Sequence, residues 1–176
     1  MAKWLVDPTH SEVHFKIKHL VISTVTGSFK KFSGTLEADK GDFSDAKVNF
    51  TIDATSIDTN NEQRDGHLKS EEFFDAEKYP ELKFVSTSVS KQSDDEFLLT
   101  GDLTIRDVTK PVELNVEYGG ETKDLYGQNK IGFDVTGKIN RQDYGLKWSA
   151  VTEAGGLVVS NDVKLLFSVQ FIKQPD

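Results

Sequence analysis

The sequence predicts an all-β fold, an extended antiparallel β-barrel of eight strands with one short helix and minor helical turns. Apolar and polar residues alternate along most of the chain, and only one stretch carries clear helix-start signals. Because one short helix cannot cover the apolar faces of eight strands, the sheet must cover itself. Many segments span about ten residues, which is long for a strand and favours a barrel over a sandwich. Closure also removes unpaired sheet edges.

Each predicted strand places its large apolar residues on one parity and its charged residues on the other. Along residues 97–106, for example, Phe97 and Leu103 fall opposite Asp102. Gly, Asn and Asp residues between the segments are typical of turns. The segments, in chain order, are residues 14–19, 27–38, 47–53, 82–90, 97–106, 112–118, 130–139 and 163–171.

The second segment breaks the strict alternation. Phe29 and Phe32 are three residues apart, so a regular strand would place them on opposite faces. A bulge near Lys30 and Lys31 would bring both rings inward.

The helix is predicted over about residues 62–73. Thr59 followed by Glu62 forms a capping-box pattern, with Thr59 as the N-cap. Pro80 then disfavours helix, so the backbone becomes extended before the next strand. Shorter helical turns are predicted at residues 140–145 and 152–156.

Length and charge limit the classes of protein. The chain has 176 residues, and we expect a single domain over residues 1–176. Its net charge is −8, from 21 Lys and Arg against 29 Asp and Glu, and the basic residues are scattered, which disfavours nucleic acid as a partner. No run is long and apolar enough for a membrane span, so we expect no stable membrane insertion. A homodimer is compatible with the sequence, although no pattern requires one.

The amino terminus runs directly into strand-like residues, without the apolar core of a signal peptide. We therefore expect a cytoplasmic protein. The alternative is a periplasmic protein from which a signal peptide was removed.

The sequence contains no motif for metal binding or catalysis. It has no cysteine, and its four histidines do not form a His-x-His or His-Glu-x-x-His pattern. Asp7, His10 and Ser11 are close in sequence, but no nucleophile elbow or oxyanion loop accompanies them. We expect no metal, no catalytic residue and no cofactor.

The predicted interior is rich in aromatic residues. Most of the twelve phenylalanines have inward parity, and this pattern fits both a filled core and a cavity with aromatic walls. Gly34, Gly101 and Gly137 share the inward parity, so they leave space beside the rings or mark bends of the barrel.

The predicted helix carries the most suggestive polar group. Arg64 and His67 share one helix face, where both could point to an anionic headgroup. The alternative is a surface salt bridge from Arg64 to Asp65 or Glu71.

An ordered series of motifs resembles the YceI-like family of lipid- and polyisoprenoid-binding proteins over nearly the whole chain. The resemblance implies a lipocalin-like extended barrel, a long central pocket for an isoprenoid or similar lipid, and no established catalytic activity. Tyr144 stands where that family commonly has phenylalanine. The matching residues are Trp4-x-x-Asp7-x-x-His10-Ser11-x-Val13-x-Phe15-x-x-x-His19, Val25-x-Gly27-x-Phe29-x-x-Phe32-x-Gly34, Ser56-Ile57-x-Thr59, Arg64-Asp65-x-His67-Leu68, Phe73-Phe74-Asp75, Tyr79-Pro80, Phe84, Gly101-x-Leu103-Thr104-Ile105 and Arg141-x-x-Tyr144-Gly145-Leu146.

Inward parity and the resemblance together predict the site residues. The resemblance supports Phe15, Phe29, Phe32 and Phe84 as pocket wall. It places a second, polar set near the entrance or in the scaffold: His10, Ser11, Arg64, Asp65 and His67. The full predicted apolar pocket consists of Phe15, Ile17, Phe29, Phe32, Leu36, Phe50, Leu68, Phe84, Leu103, Phe133, Trp148, Leu165 and Phe167.

The predicted function is non-catalytic binding, storage or transport of a long-chain apolar ligand, such as a polyisoprenoid or an isoprenoid quinone. One alternative is a small-molecule enzyme that uses His10, Arg64 or His67 as acid or base on a lipid substrate. Another is a filled barrel that acts as a stress or interaction protein.

Overall fold

A computed structural model describes residues 2–19, 22–146 and 159–175, with only the backbone of His19 and Val159. Short 3₁₀ turns lie at Pro8–His10, Ala54–Ser56 and Arg141–Tyr144. The strands and the helix are β1 (Ala2–Val6), β2 (Glu12–His19), β3 (Ser23–Phe29), β4 (Phe32–Ala38), β5 (Lys47–Asp53), β6 (Ile57–Asp58), α1 (Glu62–Lys69), β7 (Glu81–Lys91), β8 (Glu96–Ile105), β9 (Val108–Lys123), β10 (Asn129–Asn140) and β11 (Val159–Lys173).

Eight of these strands form a closed antiparallel ring, which confirms the predicted barrel. The order around the ring is β1, β4, β5, β7, β8, β9, β10 and β11, and pairing of β1 with β11 closes it. The shorter strands β2, β3 and β6 continue the wall beyond the ring, where β2 pairs with β11 and β3, and β3 pairs with β6.

Three long strands are therefore each broken once, between β1 and β2, β3 and β4, and β5 and β6. The break at Lys30 and Lys31 occurs where the sequence predicted a bulge. Lys30 donates its backbone N–H to Ser56 O, which lies at the break between β5 and β6. A hydrogen bond therefore joins the two breaks. Phe29 is buried, and Phe32 stacks on Phe50 with ring centroids 5.8 Å apart. The break thus lets both rings pack inward.

The helix is shorter than predicted and has a different cap. Its N-cap is Asn61, whose side chain accepts a hydrogen bond from Arg64 N, and it ends at Lys69 rather than near residue 73. The predicted cap, Thr59, does not cap the helix, because its N–H and hydroxyl both donate to Asp65 Oδ1. Ser70 has an extended backbone and ends the helix. The predicted turn at residues 152–156 lies outside the described residues.

Candidate ligand cavity

The barrel encloses an inner chamber that is almost wholly apolar. Its empty volume is about 980 Å³, including the part that opens to solvent. Lys83 is the one charged residue in its wall, as far as the described residues extend. The other wall residues are Leu36, Phe43, Ala46, Val48, Phe50, Ile52, Leu82, Phe84, Val89, Phe97, Leu99, Leu103, Val112, Leu114, Val116, Phe133, Val135, Leu165, Phe167, Val169 and Phe171.

An outer chamber lies between the broken strands and α1. Its empty volume, again including the part open to solvent, is about 1660 Å³. The two chambers adjoin each other at a waist. The waist residues, which line both chambers, are Ile52, Leu82, Leu103, Leu165 and Phe167.

Glycines let aromatic rings lie flat against the barrel wall. A Cβ on Gly34 would lie 2.6 Å from the ring of Phe50, and one on Gly101 would lie 2.4 Å from the ring of Phe84. Atoms at these distances overlap, so only glycine permits this packing. The rings therefore pack directly against the backbone of the neighbouring strand.

One stretch of the wall lacks strand pairing. Pairing of β9 with β10 stops at Asn115 and Thr136, beyond which β9 pairs only with β8 and β10 only with β11. Leu114 is buried there, and its Cδ2 lies 2.5 Å from the position of a Cβ on Gly137. Leu114 thus fills this stretch from the inside.

The rim of the outer chamber carries cationic and neutral polar groups. Its lining residues include His14, Lys18, Arg64, His67 and Arg141, whereas no Asp or Glu lines either chamber in the part of the chain that the structure describes. This pattern contrasts with the net charge of −8 for the whole chain. The mouth is therefore electrostatically suited to an anionic or hydrogen-bond-accepting group.

Arg64 is held at this rim by Thr59. Its Nε donates to Thr59 Oγ1 over 2.8 Å and its Nη2 to Thr59 O over 2.6 Å. No described residue accepts a hydrogen bond from Nη1, and the alternative salt bridges to Asp65 or Glu71 do not form. Asp65 instead accepts hydrogen bonds from Thr59. Asp65 thus fixes the position of Thr59, and Thr59 in turn holds Arg64.

The other basic residues of the rim differ in their partners. Lys18 Nζ donates to Thr24 Oγ1. His14 and His67 lie beside the carboxylates of Glu12 and Glu72, respectively. Arg141 donates to the backbone oxygens of Leu146 and Ser160, and burial lowers the pKa of its guanidinium from the ordinary value.

Most of the predicted pocket residues line the cavity. Phe32 lies behind Phe50, on which it stacks, and Trp148 lies outside the described residues. Leu103, Leu165 and Phe167 line both chambers. The inner chamber also receives Leu36, Phe50, Phe84 and Phe133, and the outer chamber receives Phe15, Ile17, Phe29 and Leu68.

The predicted mouth residues separate into two groups. Arg64 and His67 line the outer chamber, but His10 and Ser11 line neither chamber. His10 instead contacts Asp7 at the break between β1 and β2, and Ser11 accepts a hydrogen bond from Gln170 N. These contacts fit the scaffold position that the resemblance offered as the alternative to the entrance.

Sequence reasoning missed His14, Lys18 and Arg141 as rim residues. His14 and Lys18 have the parity opposite to Phe15 and Ile17, which predicts exposure, yet all four line the outer chamber. Alternation could not reveal this, because β2 lies beyond the closed ring, where residues of both parities border the outer chamber. Arg141 was visible only as part of the Arg-x-x-Tyr-Gly-Leu motif.

Within the described ranges, no group of three or more His, Asp or Glu residues could hold a metal ion. No helix there is long and apolar enough to cross a membrane.

Comparisons with known proteins agree with this architecture. A family model described as the YceI-like domain matches residues 4–171. A UPF0312 protein of Staphylococcus aureus is 40% identical over 172 residues, which cover 97% of this chain and 98% of that protein.

Solved structures extend the likeness to the fold. The YCEI protein of Campylobacter jejuni is 35% identical, with a TM-score of 0.76 and 90% of each chain covered. A polyisoprenoid binding domain from Saccharophagus degradans, implicated in plant cell wall breakdown, has a TM-score of 0.71 and 19% identity, covering 97% of this chain and 98% of that one. At this identity the second likeness shows the fold alone.

Proposed function

Because the chain belongs to the YceI-like family, we propose that it binds a long-chain apolar ligand inside the barrel and stores or carries it unchanged. The proposed ligand is a polyisoprenoid, an isoprenoid quinone or a similar lipid. The fold shared with a polyisoprenoid binding domain supports this class of ligand.

The observation that carries the proposal is the pair of largely apolar chambers that adjoin at the waist inside the barrel. A slender chain can enter this space and leave water along its whole length, and each buried CH₂ contributes about 0.8 kcal/mol. A wall of this kind with a few polar groups at one end is typical of sites that bind small molecules.

The cationic rim supports an orientation for the ligand. The apolar chain extends through the waist into the inner chamber, and the polar head stays at the rim beside Arg64 and Lys18. Carriage requires no bond to be broken, and the rim groups serve to bind and orient the head.

Native mass spectrometry of the purified protein tests the proposal. We expect a stoichiometric adduct that is recovered by solvent extraction as a prenyl lipid or quinone. Protein stripped of its ligand and loaded with such a lipid should return it with unchanged mass. A bare protein that takes up no added prenyl lipid would contradict the binding proposal, and a changed ligand mass would contradict the non-catalytic role.

Arg64→Gln tests the orientation at the rim. We expect the affinity for a polyprenyl phosphate to fall about tenfold, because one charge-assisted hydrogen bond is lost. The affinity for the polyprenol of equal chain length should stay within about twofold, since the apolar contacts remain. Titration of both lipids against both proteins measures the difference.

Lys69→Gln is the matched control, since it removes a cation from the same helix at a position outside the chamber wall. Equal losses in the two variants would indicate a general effect of net charge and contradict a role of Arg64 at the rim.

A further inference from the structure

We infer that Phe43 is a stopper that closes the inner end of the barrel and sets the length of the apolar chain that the cavity accepts. This inference rests on the proposed function, because it concerns which ligands the same cavity prefers.

Phe43 is the one large apolar residue in the loop between β4 and β5. Its loop neighbours include Lys40, Asp42 and Asp45, yet the side chain of Phe43 is only 8% exposed and lines the inner chamber. The loop therefore turns one large ring into the barrel, beside Ala46, while Lys40 and Asp42 are exposed.

The ring of Phe43 reaches across the end of the barrel. It contacts Trp4 on β1 edge-to-face, with centroids 6.2 Å apart, and packs in the same way on Tyr118 of β9 and Phe133 of β10 at 5.5 and 5.8 Å. In the closed ring, β10 and β11 separate β9 from β1. A ring that touches both β1 and β9 therefore spans the interior and forms its floor.

The backbone of Phe43 is strained to hold this position. Its φ is +61°, in the left-handed region that a phenylalanine rarely adopts. Such a conformation persists only where the surroundings enforce it, and strain of this kind concentrates at functional positions.

Hydrogen bonds within the loop enforce the conformation. Asp42 Oδ1 accepts from the N–H and the hydroxyl of Ser44, and the carboxylate of Asp45 accepts from the N–H groups of Asp39 and Lys40. None of these bonds involves the side chain of Phe43, so the loop can keep its shape when that ring is removed.

A stopper and an ordinary core residue differ in what they predict. Loss of a core ring lowers stability and lowers the affinity for ligands of all lengths. Loss of a stopper lengthens the cavity along its axis, so only chains that were too long before gain affinity. The dependence of affinity on chain length therefore distinguishes the two roles.

The experiment measures binding of farnesol, geranylgeraniol, solanesol and undecaprenol, in order of chain length, by competition with a fluorescent prenyl probe. For the unchanged protein we expect affinity to rise with length and then level off. For Phe43→Ala we expect this plateau to move to a longer alcohol, with a gain of about tenfold for the longest chain, as several more CH₂ groups become buried.

Phe84→Ala is the matched control. Phe84 is also 8% exposed and lines the inner chamber, but it belongs to the side wall on β7. Its removal should leave the plateau at the same alcohol. Phe43→Gly provides a second floor variant, because glycine adopts the left-handed backbone without strain, and it should move the plateau as Phe43→Ala does.

If the plateau stays at the same alcohol in both floor variants, or moves equally far in Phe84→Ala, Phe43 does not set the length of the chain that the cavity accepts. If the unchanged protein binds none of the four alcohols, the proposed function itself fails and the stopper fails with it. The two failures are thus distinguishable.

Discussion

Tryptophan in place of Leu103 is expected to weaken binding of a long-chain ligand by about a thousandfold. Leu103 lines both chambers at the waist, where a larger indole ring should block the path that the proposed ligand takes between them. Exclusion of only five CH₂ groups from the inner chamber costs about 4 kcal/mol. Ligand titration of the folded variant, together with native mass spectra of the protein as purified, measures the loss.

Leu103→Met is the control for this prediction, because it conserves volume and should cost less than about 1.5 kcal/mol in stability and leave the passage open. Urea unfolding of Leu103→Trp shows whether the barrel still folds cooperatively. If a folded Leu103→Trp protein keeps its ligand with the original affinity, the chain does not cross the waist.

Replacement of Asp7 by asparagine is expected to lower the free energy of unfolding by about 2–4 kcal/mol at neutral pH. Asp7 Oδ2 lies 3.0 Å from Lys130 Nζ, and the two side chains are only 8% and 11% exposed. The variant leaves the ammonium group of Lys130 buried with Asp124, 3.5 Å away, as its remaining anionic partner. Urea unfolding curves of the two proteins measure the change.

The same pair predicts a dependence of stability on pH. Burial alone raises the pKa of Asp7, but hydrogen bonds from Thr9, His10 and Lys130 outweigh it and hold the pKa well below its usual range. The unfolded chain has the ordinary value of about 3.9. The stabilisation is therefore fully present above about pH 4 and is lost as the pH falls toward the folded-state pKa. In Asp7→Asn this acid-dependent loss should be smaller.

Asp162→Asn is the control for both measurements. Asp162 pairs with Lys138 at 3.3 Å, but these side chains are 59% and 62% exposed, so the pair contributes less than about 1 kcal/mol. If Asp7→Asn unfolds at the same urea concentration as Asp162→Asn, and with the same pH dependence, the buried pair does not stabilise the fold.

The barrel could be predicted because alternation is a local property of the backbone. Successive side chains on a strand point to opposite faces, so Phe97, Leu103 and Phe133 could be assigned to the interior from parity alone. The broken strand at Lys30 and Lys31 was visible for the same reason, since Phe29 and Phe32 conflict with a regular period of two.

Local patterns were less reliable where two of them competed. Thr59 and Asn61 both have side chains that can cap the N-terminus of a helix. Asn61 is the N-cap in the structure, because the hydroxyl of Thr59 is hydrogen-bonded to Asp65 and Arg64. His10 was placed near the entrance or in the scaffold, and it lies at the break between β1 and β2, whereas His14, whose parity predicts exposure, lines the outer chamber. The side to which a broken or terminal strand segment turns depends on the segments around it.

The sequence by itself thus determined an all-β barrel and most of its apolar wall, because both follow from the period of two within single strands. Only the tertiary structure decided where the cavity begins and ends. The cationic rim joins Lys18 of β2 to Arg64 of α1, and the floor joins Phe43 to Trp4 and Tyr118. These residues are distant in the sequence. The rim forms because β2 pairs with β3 and β3 with β6, which precedes α1, and the floor forms because β1 pairs with β4 and β11 and closes the ring.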